Sequence, residues 1–244
     1  MTEIPTKRAL VTGGSGDLGA AICRRLAQDG HFVYVHAHSR SALAESLAGE
    51  IVAAGGAAQA LCFDITDGNA TAAALETALE AGPIQILVNN AGIHDDAPFP
   101  GMSADQWHSV IDVSVNGFFN VTRPLIMPMI RTRWGRIVST SSVAALMGNR
   151  GQVNYAASKG ALNAATKALA LEVAARGITV NAVAPGIIAT GMSDKVFDPE
   201  TIARLVPMKR AGLPQEVAGL VAYLVSDEAG YVTAQIISIN GGMV

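Results

Sequence analysis

The chain has 244 residues, half of them hydrophobic and 15% charged, with a formal net charge of −3. A chain of this length buries roughly 70–75% of its unfolded surface, so it needs neither disulfides nor metal to hold a core. A near-neutral balance without a long basic run argues against nucleic acid or anionic membrane as the main partner.

No uninterrupted apolar run reaches the ~18 residues of a membrane-spanning helix. The start, MTEIPTKRALVTGG, enters a strand almost at once and lacks the apolar stretch of a signal peptide. A cytoplasmic location is the expectation. The two cysteines, Cys23 and Cys62, lack metal-ligand spacing and are expected to be small buried hydrophobes. The five histidines show no metal spacing either.

Taken in order, strands are predicted at 9–12, 31–37, 58–63, 84–89, 135–140, 178–184 and 235–240. Helices are predicted at 18–29, 41–54, 69–81, 105–131, 152–176 and 214–227. Several strands are apolar at nearly every position, as expected when helices cover both faces of a parallel sheet. The alternation predicts a Rossmann-type doubly wound α/β sheet of about seven strands in three layers, as one domain spanning 1–244. The irregular stretch 186–213, rich in Gly, Met and Pro, is a candidate substrate loop.

The first strand runs into Thr12-Gly13-Gly14-Ser15-Gly16-Asp17-Leu18-Gly19 and then a helix. Glycines there permit close approach of backbone to a pyrophosphate at a helix N-terminus. The second strand ends at His36-Ala37-His38-Ser39-Arg40, where an NAD-binding chain usually carries an acid for the ribose 2′-hydroxyl. Arg40, with His38 beside it, can instead meet a 2′-phosphate, which favours NADP (as NADPH). Asp64 after the third strand could accept an adenine amino hydrogen. Asn90 after the fourth could bond the ribose or brace the neighbouring strand.

Tyr155 and Lys159 stand four apart, one turn along the same helix face. A nearby ammonium favours phenolate and is expected to lower the tyrosine pKa from its ordinary value near 10. Ser142, thirteen residues upstream, could hold a substrate carbonyl oxygen together with Tyr155.

At these residues the chain resembles the short-chain dehydrogenase/reductase family, from Arg8 to Val244. The carrying features are the glycine loop, Asn89-Asn90-Ala91-Gly92, the Ser142/Tyr155/Lys159 set and Pro185-Gly186. Within the family it is most similar to bacterial 3-oxoacyl-acyl-carrier-protein reductases, through MGNRGQVNYAASKGAL, RGITVNAVAPGIIATGM and the C-terminal SDEAGYVTAQIISINGGMV. The pieces IMPMI and PMKR resemble ketoreductases of aryl-polyene pathways.

The resemblance implies Tyr155 as proton donor and Lys159 as a holder of the nicotinamide ribose. It further implies a cofactor lined by Gly13, Gly14, Ser15, Gly16, Leu18, His38, Arg40, Asp64, Ile65, Asn90, Ala91, Gly92, Tyr155, Lys159, Pro185, Gly186, Ile188 and Thr190. A tetramer built through the long central helices and the C-terminal segment is implied as well.

Two positions depart from the family pattern. Asp17 replaces a glycine of the usual loop, and should repel pyrophosphate unless it points away as a helix cap. Ser114 stands where the family carries a catalytic asparagine; it can still hydrogen-bond water, and Asn116, on another helix face, is no obvious substitute.

An acyl carrier protein bearing the substrate needs a basic docking surface. Arg131, Arg133 and Arg136 precede or open the fifth strand and Arg176 ends the catalytic helix. Arg133 and Arg176 are the docking candidates, with ordinary solvated arginines as the other reading. Met192, Phe197 and Met208 could line an acyl channel or merely pack the loop. Three functions follow: reduction of a 3-oxoacyl thioester, reaction of another ketone or secondary alcohol, and a non-catalytic cofactor-binding subunit.

Overall fold

The computed structural model describes residues 7–190 and 198–244. Seven parallel strands form one sheet in the order β3-β2-β1-β4-β5-β6-β7. They are β1 (Arg8–Val11), β2 (Phe32–Ala37), β3 (Ala57–Cys62), β4 (Ile84–Asn89), β5 (Gly135–Thr140), β6 (Ile178–Pro185) and β7 (Ile236–Ile239). The predicted strands all form, with ends shifted by a residue or two.

The central strands are buried on both faces because helices cover both. Ala9, Val11, Val33, Val35, Ile86 and Val88 pack under α1 (Asp17–Gln28), α2 (Ser41–Ala53) and α9 (Pro214–Val225). Leu10, Tyr34, Ile84, Leu87, Ile137 and Val180 pack on the other face under α3 (Gly68–Glu80), α5 (Gly117–Thr132) and α7 (Val153–Val173). Alternate residues of one strand thus feed two cores.

The predicted helix 105–131 is interrupted. It is α4 (Ala104–Ile111), a π-helical turn at Asp112–Asn116, then α5, which carries Pro124 and Pro128 inside it. The π turn sets Ser114 inward, buried at 3% exposure. Such single turns often occur at functional sites. Two shorter helices were not foreseen: α6 (Ala144–Met147), and α8 (Pro199–Leu205) within the predicted irregular stretch. Cap geometry explains α8: Asp198 accepts from the Thr201 N–H at 2.7 Å, and Pro199 occupies the first helical position. No helix among the described residues is long and apolar enough to cross a membrane.

Candidate active site

From β1 the chain builds β2 and β3 to one side, then returns to β4 on the other, which opens a crevice at the strand C-terminal ends beside β1. The loops carrying the proposed cofactor residues all leave that edge. Gly13–Leu18 follow β1, His38 and Arg40 follow β2, Asp64 and Ile65 follow β3, and Asn90–Gly92 follow β4. Ser142 follows β5, while Gly186, Ile188 and Thr190 follow Pro185 at the end of β6. An open cleft beside the glycine loop is lined by Ser15, Gly16, Asp17, Ala189 and Thr190.

The glycine loop is tightly shaped. Gly13 has φ +61°, a conformation glycine adopts without strain. A side chain on Gly19 would run into Gly13 and Gly14 backbone, so the helix can lie against the loop only with glycine there. Gly16 caps α1 without a side chain, and its first-turn N–H groups have no side-chain cap. Those features fit a pyrophosphate. Asp17 is not the helix cap; it is exposed in the first turn, one residue inside Gly16.

Asn90 braces the loop. Its Nδ2 donates to the carbonyls of Thr12 at 3.1 Å and Gly13 at 3.3 Å, while Thr12 Oγ1 accepts from the Asn90 and Ala91 N–H groups, each at 3.0 Å. Of the two roles foreseen for Asn90, this geometry displays the brace. Asp64 is held by its own loop: Oδ1 accepts from Thr66 N–H at 2.9 Å and Thr66 Oγ1 at 2.8 Å, and His38 Nε2 lies 3.6 Å from Oδ2. The Thr66 N–H above all keeps the carboxyl below its ordinary pKa, against a smaller opposing effect of burial. Arg40, at the start of α2, is exposed.

On the other side of the crevice, Tyr155 and Lys159 open α7. Lys159 is buried, its Nζ donating to the Thr140 carbonyl at 2.8 Å and lying 5.6 Å from the Tyr155 ring centroid. Burial pulls its pKa down to about 8. Gly92 makes room for it, because a Cβ there would stand 3.0 Å from Nζ. Ser142 stands close enough to the Tyr155 side chain to pull its pKa down, and its Oγ accepts from the Ala144 N–H at 3.1 Å.

The expected lowering of the tyrosine pKa is not found. Burial raises it first, the Ser142 hydrogen bond opposes that rise, and the negative charge of Asp96 adds to it. The ammonium donates to the Thr140 carbonyl and lies 5.6 Å from the centre of the phenol ring. Ser114, in the π turn, has a buried Oγ with no hydrogen-bond partner among the described residues. Asn116 is occupied on the surface, donating to Asp112 at 2.7 Å.

Further corrections concern the arginines and cysteines. Arg136 lies inside β5, buried at 4% exposure, and bonds the carbonyls of Ser226 and Gly135 and stacks on Trp134. It cannot receive a carrier protein. Arg133 and Arg176 are exposed, and Arg133 and Gly177 backbones touch. They precede β5 and β6, so they stand at the opposite sheet edge from Ser142 and Tyr155. Cys23 is buried, with its thiol pKa raised by desolvation, but Cys62 is exposed because it ends the edge strand β3. Met208 is exposed; Met192 and Phe197 lie outside the described residues. Among the described residues no cluster of His, Cys, Asp and Glu could hold a metal.

Two features escaped the sequence reading. His36 is buried between the glycine loop and Phe63; a polar residue near the end of an otherwise apolar strand was the available signal. His94 lies with its Nδ1 3.3 Å from Asp96 and its ring edge-on to that of Tyr155, centroids 6.5 Å apart. Nothing in the local spacing pointed to that contact.

Residues 7–201 match the family described as short chain dehydrogenase. A 3-oxoacyl-acyl-carrier-protein reductase FabG from Aggregatibacter actinomycetemcomitans is 44% identical over 96% of this chain and 98% of its own length. A nodulation protein G from Rhizobium sp. (strain N33) is 43% identical over 100% and 99%. A crystal structure described as a candidate gluconate dehydrogenase from Agrobacterium tumefaciens superposes with a TM-score of 0.93, at 32% identity over 97% of this chain and 95% of that one. With the parallel sheet, the glycine loop and the Ser142, Tyr155 and Lys159 arrangement in one crevice, these matches place the chain in the short-chain dehydrogenase family of oxidoreductases.

Proposed function

We propose that the protein is an NADPH-dependent reductase of a 3-oxoacyl thioester, forming the 3-hydroxyacyl thioester on a carrier protein. The observation that carries this reading is the crevice itself: a glycine cradle on one side, and Ser142 beside Tyr155 with a buried Lys159 on the other. The likeness to reductases named for this reaction supports the substrate class. The exposed Arg40 and the lack of an acid at the end of β2 support NADPH over NADH.

Bound nicotinamide would supply the hydride. Ser142 would hold the ketone oxygen, and Tyr155 would pass its phenolic proton to that oxygen as negative charge develops there. Lys159, buried beside the Tyr155 ring, would hold the ribose hydroxyls. Ser114, with its unpartnered buried hydroxyl, would bind a water on the path that returns a proton to Tyr155.

The carrier is proposed to dock on Arg133 and Arg176. Tyr155 and Arg176 are separated by nearly the whole of α7, about 30 Å at 1.5 Å per residue. A carrier seated on one copy would therefore feed the crevice of another, where two α7 helices run antiparallel across a two-fold axis. Leu171 on α7 and Phe119 and Met127 on α5, all exposed, suit such helix contacts in a tetramer.

A second reading, oxidation of another secondary alcohol or reduction of its ketone, is favoured by the likeness to a candidate gluconate dehydrogenase. NADPH consumption by the purified protein separates the two. Turnover with an acetoacetyl thioester and none with simple ketones is expected; the reverse selects the second reading, and no turnover with any substrate removes both.

A further inference from the structure

His36 sits near the end of β2 with 2% of its surface exposed. Its Nδ1 accepts from the Gly13 N–H at 3.1 Å, and its Nε2 lies 2.9 Å from the Phe63 carbonyl oxygen. Because a backbone N–H can only donate, Nδ1 must present its lone pair, so the ring proton sits on Nε2 and points at Phe63. The imidazole is thus neutral and fixed as one tautomer. The Phe63 ring, 4.4 Å away centroid to centroid, presses on its face. Burial pulls its pKa down to about 4, in accord with a neutral ring.

The two groups it joins belong to different loops. Gly13, in its left-handed conformation, begins the glycine loop, and its carbonyl accepts from Gly16 N–H at 3.1 Å and from Asn90 Nδ2. Phe63 immediately precedes Asp64 and Ile65. On the dinucleotide-binding reading above, the first loop would hold the pyrophosphate and the second the adenine. Asn90 fixes Gly13 through the Gly13 carbonyl; among the described residues, His36 accepts from its N–H.

We propose that His36 is a positioning residue that sets the spacing between the pyrophosphate loop and the adenine loop, so that the dinucleotide meets a preformed cradle. It touches neither the reacting atoms nor, through its tied nitrogens, the cofactor. A residue that merely filled the core would be replaced by any apolar side chain of similar volume. A strut needs an acceptor and a donor on either side of one carbon, which imidazole and a carboxamide share and an isobutyl group lacks.

The proposal rests on the dinucleotide reading, and the test separates the two. Wild type, His36→Leu and His36→Gln are titrated with NADPH and NADH by fluorescence, and hydrogen exchange at the Gly13 amide is followed by mass spectrometry without cofactor. Wild type is expected to protect that amide. His36→Leu is expected to expose it and to weaken dinucleotide binding about tenfold, the scale of one lost buried hydrogen bond. His36→Gln is expected to restore protection and bring Kd to within about threefold of wild type. In turnover, KM for the dinucleotide should rise more than kcat falls.

Unprotected Gly13 in wild type, or equal Kd for wild type and His36→Leu, overturns the strut. So does equal impairment of the Leu and Gln variants, which would make His36 a packing residue. Should the Leu variant not fold, the wild-type exchange and the Gln titration still decide. Wild type binding neither dinucleotide, with its Gly13 amide protected, overturns the functional reading and the cradle role together.

Discussion

The two sides of the crevice are built on opposite plans. On the glycine-loop side Thr12, Gly13, His36 and Asn90 bond one another or neighbouring carbonyls. On the β5–α7 side a buried ammonium donates to a carbonyl at 2.8 Å, and Ser114 Oγ is buried without a partner among the described residues. The first side is a rigid mould made at little polar cost. The second keeps unspent polar capacity, which is costly in the folded chain and is what a reacting oxygen, a ribose or a water would use. Replacements on the two sides should therefore fail differently.

The sharpest contrast is Tyr155→Phe. Removing one hydroxyl deletes the proposed proton donor and leaves the mould intact. Turnover is expected to fall about 10²–10⁴-fold with NADPH binding retained. Near wild-type reduction by this variant would remove Tyr155 from the mechanism; loss of NADPH binding would show that the two sides are not separable.

Lys159→Met tests the cost of the reactive side. Burial lowers the lysine pKa from 10.5 to about 8, so at neutral pH the folded chain carries a buried charge that the unfolded chain hydrates freely. Methionine should abolish turnover yet stabilise the fold at pH 7 by on the order of 3 kcal/mol, from ~1.4 kcal/mol per pKa unit. Between pH 8 and 10.5 the unfolded wild type binds the extra proton, so wild-type stability rises with pH and the gain from methionine shrinks. Denaturant unfolding of both proteins at pH 7 and pH 10 checks the sign. A less stable variant at pH 7 would mean that the ammonium contributes more than its burial costs.

The contrast also explains what could be read from the sequence. Strand and helix positions follow from local pattern, because a parallel sheet between two helical layers demands continuous apolar runs. The candidate positions also fall together, since the loops after β1 to β6 meet at one sheet edge. What escaped depends on contacts distant in sequence. His36 is 23 residues from Gly13 and 27 from Phe63, and only strand pairing brings the three together. The π turn at Ser114 was hidden because its residues suit an α-helix equally well. Arg136 was mistaken for surface because β5 carries it under the chain that follows α9, a crossing that local charge does not reveal.

At the outer edge of the mould the effect should be smaller. Arg40→Ala is expected to lower kcat/KM for NADPH by ~10–100-fold, the scale of hydrogen bonds to a charged phosphate, and to leave NADH nearly unchanged. An unchanged ratio between the two cofactors would mean that another group receives the 2′-phosphate, or that none does.

The smallest expected effect lies farthest from the crevice, on Arg133 and Arg176. Reversing both to Glu replaces an attractive rim with a repulsive one, while Ser142, Tyr155 and Lys159 stay about 20–30 Å away along β5 and α7. Rim charges act mostly on encounter, so kcat/KM for a carrier-bound 3-oxoacyl substrate should fall several-fold, with kcat less affected. A small acetoacetyl thioester should react as in wild type. Salt should weaken only the carrier-dependent reaction, because the screening length shrinks from ~10 Å at 0.1 M to ~3 Å at 1 M. Since docking on one copy is proposed to serve another, the carrier effect should also vanish in any variant that is kept monomeric but still turns over the small thioester. A double reversal that slows both substrates equally would locate the damage in folding or assembly. One that slows neither would leave these two arginines as solvated surface and remove the carrier from this edge of the sheet.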